Sequence, residues 1–444
     1  MHFPLPILQP LGFVQDAFQR LDCKINIRQK KNLILIVTAM FLVGSMCLST
    51  ISLALVNVIS TSALSHCFSY SGLNGQSLMA SAVKWGIRTM NIGNMSARIA
   101  IDDTMKHHSK GCRCIDGVYW LFDHVLETYC NSKCIVFIYL IVNERIRFPI
   151  GWRVYRQGGK SKWKLAVELI DEALDYGVNI SVVLFDSWFC VKGFIKQLER
   201  RNLKFIGDLK SSNHLEYGVE NELWAKIQLS VKELFEYGTP LLKEVWLGLK
   251  SNADKRPSRA LYKTLSTVAY VKAFEGRYKV VKSTDQRTQS CKVFVTNELT
   301  WEAQKILEEY SFRWMIEEFF GNAKGFNGFE EACIRSEQGG AIMLFLVSFV
   351  DLLISIKLWK SVHKGSEVTL PTVSAIYATA AEESLQNLLV ASEDSNKLRE
   401  VLGVWLEMLG KKKLQGRRER KALVEGKKAK ERSHLPPVGL GIAA

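Results

Sequence analysis

Four side chains with complementary chemistry follow one another between positions 310 and 324. They are Tyr310, Arg313, Glu317 and Lys324. At about 100° per residue their positions fall within an arc of about 60°, so a single helix would place all four in one row. Apolar residues fill the opposite side, which is typical of an amphipathic helix. We refer to these four residues as the polar row.

The polar row has the groups needed to hold a phosphodiester. Arg313 and Lys324 could grip phosphate oxygens, and Tyr310 could donate a hydrogen bond or stack. Glu317 could ligate a metal ion between them. The alternative is a solvated helix face with ion pairs between successive turns, and the row alone does not decide between the two.

Two apolar segments upstream end in carboxylates and must position further chemistry. Ala97–Asp103 and Ile180–Asp186 both have the composition of buried strands up to their last residues. Side chains at the carboxyl ends of strands in an open α/β sheet meet at a crevice where ligands bind. For Asp186 the alternative is a cap for the helix predicted over residues 191–200. Together with Glu317, the aspartates favour a carboxylate site.

The spacing Tyr-x2-Arg-x3-Glu-x6-Lys of the polar row resembles the signature of bacterial insertion-sequence transposases of the DDE class. The segments IDDT at 101–104 and LFDSW at 184–188 are similar to the first and second aspartate motifs of that family. The resemblance covers roughly residues 96–353. It implies an α/β fold with a ribonuclease-H-like mixed sheet flanked by helices.

The resemblance also implies the site and its partners. The expected catalytic and metal-binding residues are Asp102, Asp186 and Glu317, holding two Mg²⁺ or Mn²⁺ ions. Tyr310, Arg313 and Lys324 are the expected DNA-binding residues. The expected partner is double-stranded DNA, both element ends and target, bound by a homodimer. The implied location is the bacterial cytoplasm, with the protein on the nucleoid when it is bound to DNA.

The first aspartate motif contains two adjacent acids, of which one is the expected ligand. Neighbouring residues of a regular strand point to opposite faces, so Asp102 and Asp103 cannot both face one site. Asp102 has Thr104 two residues later, and this spacing resembles the family motif. We therefore predict that Asp102 is the ligand and that Asp103 faces away.

The chain divides into three predicted regions. Residues 1–95 are expected to form a helical domain that binds DNA ends, and residues 96–353 the catalytic core. Between Asp186 and Glu317 the chain is far longer than a connection needs, and it contains alternating segments, so we predict a mostly β insertion at about 211–290. Residues 354–444 are expected to form a helical C-terminal region with a basic tail. Its segment 411–432 has eleven Lys or Arg against three Glu, a net charge of +8.

Composition agrees with a polyanionic partner but leaves other interpretations open. The net charge of +15 suits nucleic acid or an anionic membrane. Residues 33–56 are apolar enough to span a bilayer, so a membrane-anchored protein is one alternative, although a buried helix is preferred. The segment 339–359 is also apolar, and we predict a buried helix there. A catalytically silent DNA-binding derivative is the other alternative.

Nucleotide and zinc chemistry find little support in the sequence. It has no glycine-rich phosphate loop of the Walker type, so no nucleotide cofactor is expected. Four cysteines cluster with two histidines, but their spacing differs from the usual zinc-ligand pattern, so no structural metal is assigned. These residues are Cys112, Cys114, Cys130, Cys134, His107 and His108. The scattered cysteines and the absence of a secretory signal pattern predict a reducing compartment.

Overall fold

The computed structural model describes residues 6–403 apart from short gaps at 57, 111, 113, 125, 211, 218–226, 231–232, 234–242, 249–258, 333, 364–371, 394–395, 397–398 and 400–401. The helices are α1 (Gly12–Arg20), α2 (Ile27–Val43), α3 (Leu48–Ala54), α4 (Thr61–Tyr70), α5 (Gly75–Thr89), α6 (Lys162–Asp175), α7 (Lys192–Arg200), α8 (Ala303–Ser311), α9 (Trp314–Gly325), α10 (Glu337–His363) and α11 (Val373–Ser392). The basic segment 411–432 lies outside the described residues.

Twelve strands form one sheet in the described part of the chain. They are β1 (Ser96–His107), β2 (Tyr119–Asp123), β3 (Thr128–Ile141), β4 (Arg147–Val154), β5 (Asn179–Phe185), β6 (Phe205–Asp208), β7 (His214–Tyr217), β8 (Ile227–Ser230), β9 (Lys243–Gly248), β10 (Arg259–Val271), β11 (Gly276–Asp285) and β12 (Cys291–Thr296).

The part of the sheet that belongs to the predicted catalytic core, here called the catalytic half, has the strand order β4-β3-β1-β5-β6. Strand β2 pairs with the first part of β3, and β4 pairs with its last part. The pairs β4-β3 and β3-β1 are antiparallel, whereas β1, β5 and β6 are parallel to one another. Helix α6 connects β4 to β5 as the crossover that parallel strands require. This is the mixed α/β sheet of the ribonuclease-H-like fold, which confirms the predicted fold class.

Local sequence preferences do not predict strand β4. Its sequence contains Pro149 and Gly151, which both disfavour a strand interior. The register with β3 shifts opposite Pro149, so the proline lies at a bulge, where the missing N–H donor costs least. Apolar neighbours such as Phe148 and Trp152 are nonetheless fully buried, and this burial outweighs the local preference.

The predicted β insertion forms strands, but it does not form a sheet of its own. Strand β12 pairs with β6, and β11 and β10 follow it antiparallel. The described strands between 214 and 285 therefore extend the catalytic sheet from the edge of β6. The stretches 218–226, 234–242 and 249–258 of the insertion lie outside the described residues.

Helices cover both faces of the catalytic sheet. Helix α6 packs on β3 and β4, and α9 packs on β1. The long helix α10 packs on α5 and β4, and its side chains are almost entirely buried over residues 342–356. Helices α1–α5 share one hydrophobic core with α10 and the sheet. The predicted boundary at 353/354 falls within α10, because that helix continues to His363.

The apolar segment 33–56 is not a single helix, which corrects one expectation. Helix α2 ends at Val43 and is capped by Gly44, which has a left-handed φ of 64°, and α3 then leaves at an angle of 91°. Two polar groups of the segment are satisfied inside the protein: Thr38 Oγ1 accepts from the Leu11 amide at 3.2 Å, and Ser52 donates to the Ile59 carbonyl at 2.8 Å.

Only one described helix is by itself long and apolar enough to cross a membrane, and α2 and α3 pass the same test only as a bent pair. The candidate span is Glu337–Ser361 within α10, and 83% of its most apolar window is buried within the protein. Core helices of soluble proteins also have this length and composition. The predicted burial of 339–359 is confirmed.

Candidate active site

Strands β1 and β5 bring the two predicted aspartates to the same edge of the sheet. Their parallel register pairs Ile101 with Phe185, so Asp102 and Asp186 occupy the next position on adjacent strands. Adjacent strands lie about 4.8 Å apart, and residues in register point to the same face. Asp186 directly follows β5, as the sequence predicts. Strand β1 continues past Asp102 to His107 because its other neighbour, β3, pairs with it along this length.

The turn after β5 holds Asp186 in place. The Trp188 amide donates to Asp186 Oδ1 at 3.0 Å, a local bond typical of an aspartate that starts a turn. The aspartate thus caps this turn. Helix α7 begins six residues after Asp186, at Lys192, and has no side-chain cap. The alternative role of a cap for that helix is therefore excluded.

The polar row lies on two helices and the turn between them, instead of on one helix. Helix α8 ends at Ser311 and α9 begins at Trp314, with tight hydrogen bonds between them from Arg313 to Tyr310 and from Ile316 to Arg313. These bonds span three residues, as in a 3₁₀ turn. The sequence prediction of one continuous helix is therefore wrong at residues 312–313. The apolar side of α9 is buried as predicted, with Phe319 against the rings of Phe137 and Tyr139.

Arg313 joins the row to the strands. Its Nη1 lies 2.8 Å from Asp102 Oδ2, and its Nη2 forms an ion pair with Glu317 Oε1. One guanidinium therefore bridges two of the three predicted metal ligands. The Nε of Arg313 is buried and has no hydrogen-bond partner among the described residues. This donor can bind an anionic ligand oxygen once the guanidinium turns out of its buried position.

Burial and mutual repulsion alter the proton affinity of the aspartates. The pKa of Asp102 is raised to about 7, chiefly by burial and further by the charges of Asp186 and Asp103, against the lowering effect of Arg313. Burial also raises the pKa of Asp186, and the charge of Asp103 adds to this. Carboxylates that are hard to ionise alone are stabilised by a cation between them. Clustered acids of this kind are typical of functional sites.

Asp103 lies in a different environment from Asp102. It accepts from Lys162 Nζ at 2.9 Å and from Cys134 Sγ at 3.2 Å. Lys162 opens α6, on the sheet face opposite to α9. Asp102 therefore contacts the polar row, and Asp103 contacts the helix on the other side.

Tyr310 and Lys324 occupy the two ends of the site. Tyr310 is only 7% exposed; its hydroxyl lies 3.4 Å from the Phe185 carbonyl and its ring packs on Phe294 at 4.5 Å. Lys324 is more exposed, and its Nζ lies 3.4 Å from the Met105 carbonyl and 3.3 Å from Glu330. Lys324 can therefore meet a ligand directly, whereas Tyr310 supports the end of β5.

A third aspartate, missed in the sequence analysis, completes the edge. The register continues from Phe185 to Gly207 on β6, so Asp208 stands beside Asp186. Gly207 is required there, because a Cβ would lie 2.3 Å from the Phe185 ring. Burial raises the pKa of Asp208, while Lys292 and Arg313 lower it. The segment FIGD shows the same signal as the Asp186 strand, an apolar run ending in an acid.

The donor set fits divalent metal. Asp102, Asp186 and Glu317 offer only carboxylate oxygens, which Mg²⁺ and Mn²⁺ prefer. Their charge is partly balanced by Arg313, which can turn its buried Nε and Nη groups toward phosphate when metal takes the carboxylates. The arrangement can thus bind a cation and a phosphodiester side by side.

A ribonuclease-H-like sheet with aspartates at matched positions on two adjacent parallel strands, and a glutamate on a helix packed against that sheet, defines a metal-dependent nucleic-acid enzyme class. The chain belongs to the transposase DDE domain family, whose sequence model matches residues 99–350. No curated protein matches the chain at a significant level. Membership gives the general function, transposition, with DNA as the partner and divalent metal as the typical cofactor.

Proposed function

We propose that this protein is a DNA transposase that cuts and joins the ends of an insertion sequence. The reaction is phosphodiester hydrolysis at the element end, followed by attack of the freed 3′-hydroxyl on target DNA. The observation that carries the proposal is that Asp102 and Asp186 lie in register on adjacent strands, while Arg313 joins Asp102 to Glu317. Transesterification conserves the phosphodiester bond, so no nucleotide energy source is required.

Asp102, Asp186 and Glu317 would hold two Mg²⁺ or Mn²⁺ ions. When bound, such a pair activates the attacking oxygen and stabilises the leaving oxygen. Asp208 adds negative charge beside Asp186 and faces Lys292, so we assign it a positioning role. Phe319 packs against Phe137 and Tyr139, which holds the helix of Glu317 on the sheet. The turn after β5 holds Asp186. These contacts position the acids for metal binding.

The groups around the acids are suited to a DNA backbone. Arg313 and Lys324 provide cations for phosphate oxygens, with the Nε of Arg313 still unpartnered among the described residues. Trp188 and Trp314 are 48% and 61% exposed, and each follows a site residue closely in sequence. Exposed rings beside a cationic site are suited to stacking on unpaired bases. Tyr310 is buried in this conformation, so we assign it the role of supporting Arg313, which lies 5.7 Å from its ring.

The remaining regions complete the proposal. Helices within residues 1–95 would bind the element ends, and the β insertion would extend the DNA-binding surface from the edge of β6. The basic segment 411–432 would contact phosphates without regard to sequence. Joining two ends to one target requires two active sites, so we propose a homodimer on DNA. The proposed location is the bacterial cytoplasm.

The test is strand cleavage of DNA that flanks the coding region. The purified chain should nick this DNA in Mg²⁺ or Mn²⁺ and not in a chelator. Asp186→Asn keeps the side-chain shape but removes the charge, so it should abolish cleavage while leaving DNA binding largely intact. The matched control is Asp175→Asn, on the exposed end of α6, which should cleave as the unmodified chain does.

Two results would contradict the proposal. Full cleavage by Asp186→Asn would remove the metal-site assignment. Retained DNA binding with no cleavage by the unmodified chain, on any flanking DNA, would instead identify a catalytically silent derivative.

A further inference from the structure

The far ends of β1, β2 and β3 bring together three side chains that the transposition chemistry does not use. They are His107, Asp123 and Cys130. The strand order is β2-β3-β1, so β3 lies in the centre. His107 pairs with Ser132 and Asp123 pairs with Thr128. Cys130 lies two residues from each of these partners, so all three side chains point to the same face of the sheet.

The ligand atoms of these residues are close enough to share one ion. One nitrogen of His107, one carboxylate oxygen of Asp123 and the Cys130 sulfur all lie within 4.8 Å of one another. His107 Nε2 and Asp123 Oδ2 are 2.6 Å apart. In a tetrahedral zinc site the metal–ligand distances are about 2.0–2.3 Å. Small rotations of the three side chains would therefore bring their atoms to bonding distance from a common centre.

We propose that His107, Asp123 and Cys130 form a zinc site that ties the β2–β3 hairpin to the end of β1. A neutral imidazole, a carboxylate and a thiolate together suit a borderline divalent ion such as Zn²⁺, whereas Mg²⁺ prefers oxygen ligands only. The His107 side chain is 37% exposed and Asp123 is 8% exposed. The ion thus has an entry path, and solvent can complete its coordination.

This zinc site is separate from the carboxylate site of transposition. His107 is five residues beyond Asp102 on β1, about 17 Å along the strand. An odd separation along a strand also places the two side chains on opposite faces. The zinc ion would therefore act on the stability of the hairpin and not on the phosphodiester.

The cysteine pattern explains why spacing alone does not reveal this site. Cys134, which lies close to Cys130 in sequence, contacts Asp103 and Lys162. The ligands come from three strands, and Asp123 is absent from any cysteine–histidine pattern. Only the strand register groups them. The competing interpretation is a plain hydrogen bond between His107 and Asp123, with Cys130 nearby by chance.

The experiment is a Co²⁺ titration of the metal-free full-length chain in excess Mg²⁺. Mg²⁺ occupies the carboxylate site, so that Co²⁺ reports on the sulfur-containing site. We expect one Co²⁺ per chain with a thiolate-to-cobalt charge-transfer band, which Zn²⁺ then removes. Cys130→Ser should lose the band. Asp123→Asn should keep the band but weaken Co²⁺ affinity about 10-fold or more. Even the loss of a residue that only hydrogen-bonds to a metal ligand weakens binding by about this factor.

The control is Cys291→Ser, which alters an exposed cysteine on β12 and should leave the titration unchanged. Absence of the band from the unmodified chain would overturn the proposal, as would a band that persists in Cys130→Ser. If Cys130→Ser fails to fold by circular dichroism, Asp123→Asn decides, and an unchanged Co²⁺ affinity then overturns the site. None of these readouts requires DNA cleavage.

Discussion

Asp351 is an acid buried in the apolar helix α10, and its ionisation should limit the stability of the protein. The residue is 7% exposed and accepts a hydrogen bond from Tyr139 Oη at 2.9 Å. Burial raises the pKa of Asp351 from 3.8 to about 6, against the lowering effects of Arg147 and Tyr139. A difference of about two units between the folded and unfolded states corresponds to about 3 kcal/mol.

The raised pKa of Asp351 determines how the free energy of unfolding changes with pH. The folded state holds the proton more tightly than the unfolded state, so the contribution is fully present below about pH 4 and is lost as pH rises to about 6. Asp351→Asn keeps the acceptor for Tyr139 and removes the charge. We therefore expect the variant to match the unmodified chain at pH 4 and to be more stable at pH 8 by about 3 kcal/mol.

Urea denaturation at pH 4, 6 and 8 measures this difference in the free energy of unfolding. Tyr139→Phe is the matched variant, because it removes the hydrogen bond to the ionised acid and should cost more stability at pH 8 than at pH 4. An Asp351→Asn variant that is less stable than the unmodified chain at pH 8 would refute the reasoning. It would mean that the acid is charged and fully compensated where α10 meets β3.

Three further predictions concern the site and the tail. Asp102→Asn should eliminate strand cleavage. Asp103→Asn should still cleave, but it should be less stable by about 2 kcal/mol because its ion pair with Lys162 is removed. The reverse pattern would exchange the roles of the two aspartates. In calorimetry, Asp208→Asn should weaken Mn²⁺ binding less than Asp186→Asn does. An equal effect of the two variants would identify Asp208 as a metal ligand. Deleting 411–444 should reduce the slope of log DNA affinity against log salt concentration. The reduction should be about 0.9 for each phosphate that the shortened chain no longer binds. An unchanged slope would make the segment a solubilising tail.

Local patterns in the sequence were sufficient for the strands that carry the acids. The apolar runs before Asp102 and Asp186 identify β1 and β5, because strands buried on both faces need nearly continuous apolar sequence. The buried side of α9 also follows from helical periodicity. The resemblance to a transposase family then joined these separate signals into one site.

Long-range features could not be predicted in this way. Register places Asp208 beside Asp186, yet register depends on the pairing of β5 with β6, which no local pattern specifies. The break at residues 312–313 was missed because a single tight turn hardly changes helical periodicity. The bridge from Arg313 to Asp102 joins residues 211 positions apart. The Cys130 cluster likewise depends on three strands meeting.

Asp102, Asp186 and Glu317 are proposed to bind the metal ions that act on DNA. Anomalous diffraction from crystals of the protein with DNA and Mn²⁺ would locate these ions. We predict two Mn²⁺ peaks about 3.5–4 Å apart between these carboxylates, with Arg313 turned to a phosphate oxygen. Crystals with ordered DNA but no Mn²⁺ at these acids, and with Arg313 still paired to Asp102 and Glu317, would contradict the assignment of these residues as metal ligands.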